Sequence, residues 1–175
     1  MVRSLAASRT AGASRQKALE TLARDIKGVY VQSLYKTRTA KGAAPYVVPE
    51  PVSSEAPRTV RKRVIESLDD TFAAVSQIVP YRELVHDRGV IELFRGCVRG
   101  CRFCEAGISY RPTRERSLAS IQRQLEQLVA NTGYEEIGLL SLSSTDYSDL
   151  PGLVTLVRSY REVHKVSISF PSLRM

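Results

Sequence analysis

The chain has no tryptophan, two histidines and three cysteines, and each shortage removes a class of explanation. No apolar run reaches the 18 or so residues that a membrane-spanning helix needs, and no signal-peptide type of apolar stretch is present. No membrane partner and a cytoplasmic location are therefore expected. The cysteines, Cys97, Cys101 and Cys104, lie within eight residues of one another with none elsewhere. A disulfide framework would use an even number spread along the chain, so the cluster points to a reducing compartment and a metal. Acidic residues are missing from residues 1–17, where Arg3, Arg9, Arg15 and Lys17 stand among Ala and Ser. That composition fits a flexible or helical tail over residues 1–25, and it loosely matches a transit peptide.

The net charge is +8, and it is unevenly placed. Residues 1–80 carry 13 basic and 7 acidic side chains, against 13 and 11 in residues 81–175. A basic flank can attract RNA or acidic partners, or it can be a solvated linker.

Apolar residues at Ala18, Leu19, Leu22, Ala23 and Ile26 have helical spacing, ended by Gly28. Residues 29–35 read as a short extended segment. Residues 36–57, with four prolines and Gly42, read as loop. Residues 60–72 read as helical in part, with a basic start. Together residues 26–80 read as a linker or extension. Beyond Pro80 the pattern changes. Residues 90–94 suit a buried strand, and residues 117–131 a helix with Leu118, Ile121, Leu125, Leu128 and Val129 on one face. Ser117 would cap this helix and Gly133 end it. Residues 137–142 form the next strand, residues 150–162 a helix capped by Asp149, and residues 166–170 a third strand. Alternating strands and helices predict an α/β fold with parallel strands, in which ligands sit at the C-terminal strand ends. The cysteine loop begins at such an end, directly after Phe94.

The loop reads Arg95-Gly96-Cys97-Val98-Arg99-Gly100-Cys101-Arg102-Phe103-Cys104, a C-x3-C-x2-C spacing. Thiolates are the usual ligands of iron–sulfur clusters, and three of them leave the fourth iron of a 4Fe–4S cube without a protein ligand. Gly96 and Gly100 let the backbone wrap tightly, while Arg95, Arg99 and Arg102 offset thiolate repulsion and favour ligation. Structural zinc wants a fourth ligand, and His86 and His164 precede strands, at the end opposite the loop. A redox C-x2-C pair would leave Cys97 unexplained, and three inert buried cysteines are the plainest alternative. Arg111, Arg114 and Arg116 form a basic loop that could meet an anionic substrate, balance cluster charge or simply be solvated. Arg174 points to the same rim.

At Cys97, Cys101, Phe103 and Cys104 the chain resembles the radical-SAM superfamily, whose hallmark is C-x3-C-x-aromatic-C after the first barrel strand. The resemblance implies that S-adenosylmethionine chelates the fourth iron, that Phe103 packs near its adenine, and that a reductant such as flavodoxin or ferredoxin drives release of a 5′-deoxyadenosyl radical. It also implies that the strand end at Ser143 and Ser144 offers groups to the amino end of S-adenosylmethionine; the alternative there is a Ser/Thr turn capping the next helix. The segments 95–107, 110–112, 114–117, 131–136, 142–147 and 171–174 further resemble bacterial radical-SAM proteins with a cobalamin-binding domain, over roughly residues 25–175. Cobalamin is thus a candidate cofactor that nothing in this chain demonstrates. Distant relatives there modify transfer RNA, which makes RNA a candidate partner.

Residues 81–175 are accordingly expected to be the N-terminal part of a radical-SAM core: a partial (β/α) barrel of about three strand–helix units behind an N-terminal α/loop extension. A complete core has six units, so the chain reads as a fragment, and an incomplete radical-SAM enzyme or a non-catalytic iron–sulfur module would both satisfy the cysteines.

Overall fold

A computed structural model describes residues 1–42, 46–82 and 84–173. It divides the chain into two compact units, Met1–Val64 and Ile65–Met175.

The first unit opens with helix α1 (Val2–Thr10), which buries no residue. Helix α2 (Arg15–Asp25) follows, capped by Ser14, whose hydroxyl accepts from the Lys17 amide, in the usual manner of a short oxygen-bearing N-cap. It turns Leu22 and Ala23 inward, and a small core forms from Ala23, Leu34 and Ala56 with Val31 and Tyr35 against them.

Three local expectations fail in the stretch between residues 29 and 72. Within the segment read as extended, Val31 and Tyr35 are extended, but residues 32–34 between them form a single tight 3-10 turn that buries Leu34. The segment read as loop is a two-stranded antiparallel ribbon, β1 (Tyr35–Ala40) with β2 (Tyr46–Pro51). Its prolines mislead because the ribbon has a free edge. Pro49 and Pro51 are two residues apart, so their missing N–H groups fall on one side of the strand, and prolines are tolerated on edges. Pro45 lies outside the described residues. Residues 60–72 contain no helix among those described. Instead the second unit holds residues 68–71 by their backbone. Leu68 is completely buried, and its carbonyl accepts from Thr71 and Arg116.

The second unit is built on a parallel sheet ordered β3-β6-β7: β3 (Gly89–Glu92), β6 (Glu136–Leu140) and β7 (Ser167–Ser169). This is a partial α/β arrangement of three parallel strands; the described residues do not close a barrel. Helix α4 (Leu118–Thr132) begins at Ser117, whose hydroxyl accepts from the Ser120 amide, and ends at Gly133 with φ +71. Helix α5 (Leu150–His164) begins at Asp149, whose carboxylate accepts from the Gly152 amide. Both helices cover one sheet face. Ile91, Leu93, Ile137 and Leu139 meet Ile121, Leu125, Leu128, Leu153 and Val157 there. Full burial of each such side chain stabilises by about 1.5–3 kcal/mol. The alternating residues Val90 and Leu140 are half exposed on the opposite face. His164 stacks on Tyr160 with ring centroids 4.2 Å apart, away from the cysteines.

Candidate metal and cofactor centre

Beyond β3 the chain forms two strand fragments, β4 (Phe94–Arg95) and β5 (Arg114–Glu115), paired antiparallel as Phe94↔Glu115 and Arg95↔Arg114. They close the base of the loop that carries the three cysteines. Two things make that closure. Leu93 donates its amide to Leu140 O at 2.8 Å, prolonging the main sheet. Gly96 then turns the chain with φ +93, so close to the returning strand that a Cβ there would lie 2.7 Å from Tyr110 O and 2.8 Å from Pro112 O. Only glycine combines that backbone angle with that approach.

Inside the loop Cys97 is buried, and Cys101 and Cys104 are half-buried. The backbone serves the sulfurs: Arg99 N–H donates to Cys97 Sγ at 3.4 Å and Gly107 N–H to Cys104 Sγ at 3.3 Å. A one-turn helix, α3 (Ala106–Ser109), supplies Gly107. A Cβ on Gly107 would sit 3.5 Å from Cys104 Sγ and 3.9 Å from Cys97 Cβ, so both cysteines line one cradle beside it. Gly100, at the crown, faces open space. Among the described residues no three His, Cys, Asp or Glu groups converge on one point as a single metal ion requires. An iron–sulfur cube takes one thiolate per iron, with N–H donors that tune its potential; three thiols with two backbone N–H donors are groups of that kind.

The loop is tied to the C-terminal end of β6. Arg99 forks onto Asp146, with Nε 2.9 Å from Oδ2 and a second, shorter contact through Nη2. Asp146 ends a tight turn, residues 144–146, directly after β6. Its carboxylate, with smaller contributions from the Cys97 and Cys101 sulfurs, holds the Arg99 guanidinium above its ordinary value. Arg111 Nη2 donates to Arg99 O at 2.9 Å, bracing the same segment from the other side.

Ser143 and Ser144 stand at this strand end, both buried. Ser144 Oγ shares a hydrogen bond with Ser141 Oγ at 2.8 Å, and its amide donates to Ser172 O at 2.7 Å. Ser143 Oγ is buried with no hydrogen-bond partner among the described residues. Buried hydroxyls normally find one. Between the strand end and the loop lies a cleft of about 280 Å³, lined by Glu92, Phe94, Arg95, Tyr110, Leu140 and Leu142 among others. Glu92 and Arg95 form a two-pronged ion pair across it, at 2.9 and 2.7 Å.

Phe103 is 91% exposed, beside the cysteines but without a covering group. The three loop arginines divide. Arg111 stays at the loop surface. Arg114 turns its guanidinium onto the carbonyls of Pro112, Tyr110 and Ile65. Arg116 is buried, bound to Glu92 O, Leu68 O and Thr71 Oγ1, and desolvation lowers its pKa from the ordinary value. Both therefore hold structure. Arg174 lies outside the described residues.

Sequence reading did not single out Asp146 or Tyr110. The signal for Asp146 was present: a carboxylate at a strand end, opposite a loop carrying four arginines in residues 95–111.

Comparison with known proteins gives matches of two kinds. Residues 91–175 match the Radical SAM superfamily. The chain is also similar to the ribosomal protein uS12 methylthiotransferase RimO of Acaryochloris marina, 31% identical over 110 residues, which is 62% of this chain and 24% of that protein. The corresponding protein of Rippkaea orientalis is 34% identical over 103 residues, 58% of this chain and 23% of that one. The chain thus spans about a quarter of the length of these curated relatives.

Proposed function

We propose that this chain, whose residues 91–175 belong to the Radical SAM superfamily, holds a 4Fe–4S cluster through Cys97, Cys101 and Cys104 and presents its open iron to S-adenosylmethionine. The observation that carries the reading is a loop of three thiols, closed by β4 and β5, at the C-terminal end of the first strand of a parallel sheet. When bound, the cluster supplies the electron that splits S-adenosylmethionine into methionine and a 5′-deoxyadenosyl radical. Everything else falls to the protein's own groups. The Arg99 and Gly107 amides aim N–H donors at the Cys97 and Cys104 sulfurs. The Arg99–Asp146 pair sets the height of the loop above the β6 end. Ser143 Oγ, buried and unpartnered, is offered to the polar end of S-adenosylmethionine. Phe103 is a face for the adenine to cover. Arg111 faces substrate, Arg114 and Arg116 position the loop, and Arg174 stays a candidate for the same rim. The relatives' name, a methylthiotransferase acting on a ribosomal protein, fits a radical reaction on a large substrate; cobalamin finds no support beyond the family resemblance.

Anaerobic reconstitution of the 175-residue chain should yield about four iron and four sulfide per chain, lost on replacing any one cysteine by Ala. Adding reductant and S-adenosylmethionine should then give 5′-deoxyadenosine. An intact cluster with no 5′-deoxyadenosine would make the segment an iron–sulfur module. Stoichiometric zinc in protein made with both metals present would sink the cluster reading.

A further inference from the structure

The two units differ in charge far more than the chain's total suggests. Residues 1–64 carry 13 Lys or Arg against 4 Asp or Glu, and residues 65–175 carry 13 against 14. The first unit's carboxylates are, moreover, all engaged. Glu20 pairs with Lys17 at 3.9 Å, Asp25 and Glu55 with Arg24 at 2.7 and 2.6 Å, and Glu50 with Arg38. Among the described residues Lys27, Arg58, Arg61 and Arg63 pair with no carboxylate.

These unmatched cations are gathered by the fold. Gly28, at φ +84, lies so close to the segment after residue 60 that a Cβ would be 2.8 Å from Arg63 Cγ and 3.3 Å from Arg61 O. The segment is thereby seated against the end of α2. Two hollows flank it, of about 710 and 430 Å³, sharing Gly28, Thr59, Val60 and Lys62. Lys27, Arg61 and Arg63 line the larger and Arg58 the smaller. The smaller also holds Tyr30 and Tyr35, whose ring centroids are 4.6 Å apart. Tyr35 is fixed by its hydroxyl, which donates to Pro57 O at 2.7 Å, while Tyr30 is 49% exposed.

We infer that this groove binds a single-stranded nucleic acid, its phosphates along Lys27, Arg58, Arg61 and Arg63 and a base stacked on Tyr30. Cations along a concave track with an aromatic platform are the combination that single strands use. A helix that lies in a membrane surface presents a broad apolar face, whereas α2 turns Leu22 and Ala23 into the core and α1 offers only Val2, Leu5 and two alanines; the tyrosine platform beside the cations favours a base over a lipid. The inference does not depend on the cluster, and it is tested without one.

The probe is a labelled uridine oligomer of about 12 nucleotides, within the usual site sizes, titrated with the full 175-residue chain by fluorescence anisotropy. A thymidine oligomer of equal length separates RNA from DNA, and binding of either supports the groove. Affinity should fall with salt at a log–log slope of about −0.7 for each phosphate neutralised. The triple variant R58Q/R61Q/R63Q should flatten that slope by about 2. Tyr30→Leu should weaken binding about tenfold at unchanged slope. Arg158→Gln with Arg161→Gln, in the second unit, should leave binding unchanged. Circular dichroism establishes that each variant is folded. No binding at low salt, an unchanged slope in the folded triple variant, or binding to anionic lipid vesicles but to neither oligomer would overturn the inference.

Discussion

Arg99 and Asp146 stand 47 residues apart in sequence and form the two-pronged ion pair that joins the cysteine loop to the turn after β6. It links the first parallel strand's loop to the second strand's end, the two places where the proposed cluster and S-adenosylmethionine would be held. Asp146 is nearly buried and Arg99 half exposed, so the pair lies between a surface bridge and a buried one. A double-mutant cycle with Arg99→Leu and Asp146→Asn should show the two substitutions to be non-additive. The single variants should still accept iron but release it to a chelator several-fold faster. Equal release rates in all four proteins would show that the pair does not hold the loop.

Gly96 is the hinge of the same loop. Gly96→Ala places a Cβ 2.7 Å from one carbonyl oxygen at φ +93, and backbone strain of that kind costs about 1–3 kcal/mol before the clash is counted. Urea denaturation should show a loss of at least about 2 kcal/mol. Gly133→Ala, with φ +71 but nothing within 4 Å, is the control and should cost less.

The parallel core was legible because its signals are local and repeated. Ser117, Gly133 and Asp149 bound their helices where their chemistry predicts, and apolar spacing identified the buried faces of α4 and α5. The ribbon β1–β2 was not legible, since prolines and small residues hide a strand whose only partner is its neighbour. The segment around Leu68 was misread for a different reason. Its conformation is imposed by Arg116, 48 residues away, and no local pattern carries that. The cysteine spacing was plain, yet the groups that organise it, Asp146 and the Gly107 amide, act through contacts that sequence does not display.

That dependence on Arg116 sets where the second unit begins. A chain starting at Ile65 keeps Leu68, the carbonyl it offers to Arg116, and Thr71. A chain starting at Tyr81 leaves the guanidinium with only Glu92 O of these partners, and losing a hydrogen bond to a charged group costs about 1.5–3 kcal/mol. The longer version should unfold cooperatively in urea, the shorter one at much lower denaturant or without a cooperative transition. Identical midpoints would mean that residues 65–80 are dispensable.

Tyr147 gives the fold an alkaline limit. It is buried, its hydroxyl donates to Arg116 O at 2.6 Å, and desolvation, aided by nearby Glu115, Asp149 and Asp69, pushes its pKa up to about 12. The folded state keeps this proton while the unfolded chain releases it near pH 10. The associated stability is therefore complete below about pH 10 and is lost as pH rises from there toward 12. Tyr147→Phe should cost about 1 kcal/mol at neutral pH for the lost hydrogen bond and should flatten the stability profile over that alkaline range. A wild-type profile already flat between pH 10 and 12 would refute the assignment.

In the order β3-β6-β7 both outer strands pair on one side only among the described residues, and the face away from α4 and α5 exposes Val90, Leu140 and Leu142. The stretch Val166 to Phe170 alternates apolar and small polar residues and carries no charge, the kind of edge that invites another chain. The first unit's positive charge opposes contact only within roughly 8 Å at physiological salt. Light scattering on the 175-residue chain should therefore report dimers or larger species. Ser167 is exposed at this edge, and Ser167→Lys places a charge there without touching the core, so it should shift the distribution toward monomer. A wild-type chain that is already monodisperse and monomeric would mean that the edge and the apolar face are covered, and the open-sheet picture would have to be abandoned.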